Sequence, residues 1–141
     1  MIVRSAMIAL VALGLGTGAC AAKVRGGGAR GIALDCRLSG AEASPLGEAE
    51  FCAQVRDALA LQLNRPVLLA SDRAATGLAD RVDVRLAARP LRLRANVTVV
   101  LGGKRVTVPE LGVNVIDRTL VRSDCKSIST LIASEVARLQ K

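Results

Sequence analysis

Residues 81–101 read RVDVRLAARPLRLRANVTVVL. Val82, Val84, Leu86 and Ala88 alternate with Arg81, Asp83, Arg85 and Ala87, and after Arg89-Pro90 the rhythm resumes. Leu91, Leu93, Ala95, Val97, Val99 and Leu101 then alternate with Arg92, Arg94, Asn96, Thr98 and Val100. A period of two over this length predicts strands with one buried and one wet face. Pro90 has no N–H to give a ladder and marks a turn. Gly102-Gly103 supplies the backbone freedom of a tight hairpin. The chain returns through Val106 and Val108, then Leu111, Val113 and Val115. These two sets differ in parity, which predicts a bulge near Pro109-Glu110.

The sequence on either side of this meander has a different period. Phe51, Val55, Leu59 and Leu63 recur every four residues after Ser44-Pro45, with Cys52 and Ala58 beside them, so a helix is predicted over roughly 45–64, stopped by Pro66. Ser44 is read as its cap, with Pro45 in its first turn. At the far end, Cys125, Ile128, Ile132, Val136 and Leu139, widened by Leu131, predict a helix over roughly 124–140 capped by Ser123 or Asp124. Gly31–Cys36 and Val67–Ala70 read as short strands. The expected fold is therefore α+β. It is a two-layer sandwich in which an antiparallel sheet of three to five strands carries two amphipathic helices on one face.

Upstream of this domain, Met1–Arg4 is a basic start, Ala6–Leu15 is apolar, and small residues follow. These are the parts of a bacterial secretory signal, so 1–22 is read as a signal peptide or lipoprotein signal, 23–31 as a Gly-rich tether and 32–141 as a single α+β domain. Three fates of the amino end stay open. Thr17-Gly18-Ala19-Cys20 resembles a lipoprotein box that would lipidate Cys20, Ala19-Cys20-Ala21 fits plain cleavage, and the third fate is a retained span. The apolar run is short of the ~20 residues that a bilayer span needs. The expected location is the periplasm, free or anchored facing it.

Processing leaves Cys36, Cys52 and Cys125, an odd number. In an oxidising compartment one pair forms and one thiol remains. Cys36 with Cys52 is the preferred disulfide, because a strand-to-helix turn can bring them together. Cys52 with Cys125 is the rival pairing, and three plain buried thiols are the third possibility.

The layout of helix, short strand, long hairpin with Gly102-Gly103-Lys104 at its tip, return strand and amphipathic final helix resembles the small α+β domains of bacterial periplasmic proteins. The amino-terminal domain of TolB and several outer-membrane lipoprotein domains are of this kind. The resemblance covers about 31–140, rests on element order, and implies a docking or assembly role without assigning any residue.

Composition narrows the chemistry further. Of 141 residues, 20 are Lys or Arg against 12 Asp or Glu, a net +8, and the chain has no His, Trp or Tyr and one Phe, Phe51. Without His, every Ser-His, Cys-His and His-metal arrangement is excluded. The near absence of aromatics removes base-stacking platforms, so nucleic acid suits the charge but little else. Ser123-Asp124-Cys125-Lys126 has the S-x-x-K spacing without its companion motifs, and Gly26–Gly31 lacks the context of a phosphate loop. Asp35, Glu42, Glu48, Glu50 and Asp57 read as solvated surface rather than a paired-carboxylate site. Neither a cofactor nor a catalytic residue is expected.

Charge placement is the most informative feature. Seven basic residues and one acid lie between Arg81 and Arg105. The alternation sends Arg81, Arg85, Arg92 and Arg94 to the wet face, where like charges repel unless an anion relieves them. The candidate partners are an envelope protein or an anionic headgroup or glycan.

Overall fold

A computed structural model describes residues 31–140. Residues 1–22, read from the sequence as a signal with Cys20 in it, lie outside them, as does the expected tether apart from Gly31. The order of elements is β1 (Ile32–Ser39), α1 (Glu48–Leu63), β2 (Val67–Leu69), β3 (Arg81–Arg89), β4 (Arg92–Leu101), β5 (Lys104–Asn114) and α2 (Arg122–Leu139), with single 3-10 turns at Ala41–Ala43 and Arg73–Ala75.

The five strands form one sheet in the order β2-β1-β3-β4-β5. β3, β4 and β5 make an antiparallel meander, but β1 runs parallel to both neighbours, so the sheet is mixed. A parallel pair needs a long crossover, and α1 supplies it between β1 and β2. The short apolar strands predicted at 31–36 and 67–70 could equally have paired antiparallel, because pairing direction leaves no mark on hydrophobic rhythm.

The meander forms as the alternation dictates. Val82, Val84, Leu86 and Ala88 are buried, as are Leu93, Ala95, Val97 and Val99. Pro90-Leu91 links β3 to β4, and Arg89 stands opposite Arg92. Leu91 belongs to this turn and is exposed rather than buried. At the other hairpin, Gly102 and Gly103 take φ values of 59° and 81°. This is left-handed backbone that a two-residue turn needs and that glycine adopts without a Cβ penalty. The parity change on β5 is a bulge: Ala95 pairs with Leu111 and Val97 with Val108, leaving Pro109 and Glu110 opposite Asn96.

α1 begins at Glu48, later than the Ser44-Pro45 signal suggests. The Ser44 hydroxyl is spent on a local turn with Leu46, accepting from its N–H at 3.2 Å and donating to its carbonyl at 2.6 Å. Asn64, left-handed at φ 54°, closes the helix before Pro66. α2 begins at Arg122, and Asp124 reaches back from its third position to accept the Val121 N–H at 2.8 Å. Its inward stripe is Cys125, Ile128, Ser129, Ile132, Ala133 and Val136, while Leu131 and Leu139 are substantially exposed. The Ser129 hydroxyl donates to the Cys125 carbonyl one turn back, which lets a polar residue sit in the core.

Both helices cover the same sheet face and share one core around Phe51. Every described element and the whole of that core lie within 31–140. Cys36 of β1 is disulfide-bonded to Cys52 of α1 with the Cα atoms 5.8 Å apart, tying sheet to helix. Cys125 is buried and free; burial pushes its thiol pKa up.

Candidate functional site: an open face of arginines and carboxylates

The helices leave the opposite face of the sheet uncovered. Register sorts its outward side chains into rows across the strands. Asp35 aligns with Asp83 and Thr98, Arg37 with Arg85 and Asn96, and Ala87 with Arg94 and Gly112. The inserted β1 therefore places Asp35 among the arginines. Its carboxylate lies 3.7 Å from Arg37 Nε, 3.6 Å from Arg81 Nη2 and 3.7 Å from Arg85 Nη1. Arg81 also donates to Asp83 at 2.9 Å, and that hydrogen bond, with the carboxylate's charge, raises its pKa.

The four arginines singled out from the sequence share this face without forming one cluster. Arg81 and Arg85 belong to the group around Asp35. Arg94 donates to Glu110, the residue that the β5 bulge turns towards it, at 3.1 Å. Arg92 lies at the hairpin end opposite Arg89, and neither has an ion-pair partner among the described residues. The Arg94 shaft runs over Gly112, where a Cβ would stand 3.2 Å from Arg94 Cδ, and the covered Arg94 Nε–H has no acceptor among the described residues. These pairs are half exposed, so each contributes little stability, within about 1 kcal/mol.

Three of the other acids are occupied elsewhere: Glu48 accepts the Leu38 N–H at 2.9 Å, Glu50 pairs with Arg122, and Asp57 pairs with Arg56 at 3.1 Å, while Glu42 has no ion-pair partner among the described residues. Sequence alone missed Asp35, Arg37 and Glu110 as parts of the face, because they arrive through strand order and a bulge rather than through local pattern. Beside the face, at its Arg89 end, a cleft of about 740 Å³ is lined by residues including Ser39, Glu42, Ala87, Arg89, Pro90 and Thr119. No group of three or more His, Cys, Asp or Glu able to hold a metal occurs among the described residues. No described helix is long and apolar enough to cross a membrane.

No family model matches the chain, and no curated protein matches it. Among solved structures, the fold is similar to that of an uncharacterised protein, with a TM-score of 0.53 and 8% identity over 79% of this chain and 92% of that one. It is also similar to a PelC dodecamer from Paraburkholderia phytofirmans, with a TM-score of 0.51 and 13% identity over 80% of this chain and 89% of that one. At these identities the likeness is one of fold.

Proposed function

We propose that this chain is a non-enzymatic, exported envelope protein, periplasmic or lipid-anchored through Cys20, that acts as a binding or assembly module through the open face of its sheet. The observation that carries this reading is the asymmetry of the sandwich. One sheet face is sealed by two helices, and the other presents a layer of arginines and carboxylates to solvent. The Cys36–Cys52 disulfide supports export, because such bonds persist in oxidising compartments.

The edges favour the face as the contact surface. β2 is only three residues long, and β5 carries Lys104, Arg105, Pro109 and a bulge, features that discourage strand addition. The fold likeness to a dodecamer supports assembly of this chain into a homo-oligomer. Light scattering of the purified mature protein tests it. A multimer that dissociates when Asp35 and Glu110 are replaced by Lys is expected, and a strict monomer with no protein captured from an envelope extract overturns it. Mass spectrometry of the mature amino end checks export separately: a lipidated Cys20 or a start at Ala22 is expected, an intact Met1 is not.

A second reading is favoured by the excess of cations on this face: anionic lipid or glycan held by Arg81, Arg85, Arg92 and Arg94. Binding to phosphatidylglycerol vesicles would then fall with added salt and disappear on substitution of Arg85, Arg92 and Arg94.

A further inference from the structure

The end of the sheet at the β3–β4 turn differs from the rest of the open face. Leu91 and Ile116 are 53% and 81% exposed. Their backbone segments meet, because the N–H of Val115, the residue before Ile116, donates to the Leu91 carbonyl at 2.9 Å. Two large aliphatic side chains exposed at one end of the sheet add little buried area to the core.

Around them the charges balance. Arg89 and Arg92 oppose each other across the ladder, while Glu42 and Asp117 supply two carboxylates. None of the four has an ion-pair partner among the described residues. Arg118, from the same loop as Ile116, is already held by Asp124. Glu42 and Arg89 line the same 740 Å³ cleft without bridging it, and its walls include Ala43, Ala87, Ala88 and Pro90, with the Ser39 and Thr119 hydroxyls.

We infer that this end of the molecule docks on a phospholipid surface and receives a phosphoethanolamine headgroup in the cleft. Arg89 takes the phosphate and Glu42 the ammonium, while Leu91 and Ile116 enter the interface. A guanidinium is a planar donor suited to phosphate, and a carboxylate accepts the N–H bonds that a primary ammonium offers. A trimethylammonium offers none, so choline lipids satisfy only half of the site. Balanced charge fits a zwitterionic headgroup better than a net-negative one. The apolar pair adds the burial that a single headgroup contact lacks. The inference rests on the envelope reading only for the source of the lipid. The binding chemistry is independent of whether the open face has a protein partner.

The test is flotation of the 31–141 polypeptide, which contains every described element and the core, with vesicles of equal parts phosphatidylethanolamine and phosphatidylcholine or of phosphatidylcholine alone. Stronger binding to the ethanolamine vesicles is expected. The double variant Leu91→Asp, Ile116→Asp, at sites too exposed to unfold the domain, should weaken it about tenfold or more. Glu42→Gln should erase the preference between the two lipids, and Arg89→Ala should weaken binding to both. Circular dichroism confirms that each variant is folded. Equal affinity for the two vesicles, or indifference to the double variant, overturns the proposal. Binding confined to phosphatidylglycerol and lost with Arg85 and Arg94 also overturns it, and assigns the lipid contact to the open face instead.

Discussion

Asp124 shows how much one side chain can organise. Its two carboxylate oxygens accept from Arg118 at 2.7 and 2.9 Å, and one of them also accepts the Val121 N–H at 2.8 Å. It thereby closes the start of α2 and pins the loop before it. Arg118's hydrogen bonds lead in holding its pKa down from 3.8 to about 2, with the Val121 N–H assisting against the cost of burial. The native state therefore favours the ionised form. The stabilisation is fully present well above 3.8, drains away as pH falls through that value towards about 2, and is gone only below the folded value, where both folded and unfolded forms are protonated. Because Arg118 is half exposed, its size is about 1–2 kcal/mol. Urea titrations at pH 7 and pH 2.5 should show this loss in the native chain, and Asp124→Asn should be weaker at pH 7 with a flatter profile. The buried thiol gives a second expectation. The 31–141 polypeptide should yield one reactive thiol, Cys125, and only after denaturation, whereas three would mean that Cys36 and Cys52 are not bonded.

Among the elements, β1 and its exit depend on Gly40. This residue has φ 73°, and a Cβ there would lie 2.1 Å from the Ala88 carbonyl oxygen on β3. Gly40→Ala should therefore cost more than about 2 kcal/mol, since both backbone strain and overlap must be relieved. The measurement is the shift in urea midpoint at unchanged slope. The same change at Gly77 meets no atoms within 4 Å and faces only its positive φ, so it should cost less. Much at this scale was legible in the sequence. The alternation in 81–101 located β3 and β4, Pro90 located the turn between them, the paired glycines located the hairpin from β4 to β5, and the parity change located the bulge. Helix beginnings were less legible, because Ser44 can cap a helix or close a turn, and only tertiary packing decides which. Burial of Leu131 and Leu139 was overestimated because the periodicity of α2 is wider than the surface it covers. The arginine face was legible as a set of outward side chains. Its division into a group around Asp35, an Arg94–Glu110 pair and an unpaired hairpin end was not, because strand order is a property of the whole sheet.

For the whole molecule, two layers share one core, so the sheet depends on its covering helices. A chain ended before Arg122 would uncover β4 and β5, against which α2 packs. It should lose cooperative unfolding and bind a hydrophobic dye, and a sharp thermal transition in that truncated chain would contradict the shared core. The strand order carries a kinetic corollary. β1 comes first in the domain but sits between β2 and β3, whose residues follow it in sequence. Delivered amino end first, by a ribosome or through a narrow pore, that ribbon can gain its three-residue β2 neighbour but keeps its longer edge unzipped until Arg81–Arg89 has emerged. Early collapse is thereby discouraged, and the polypeptide stays threadable for most of its passage.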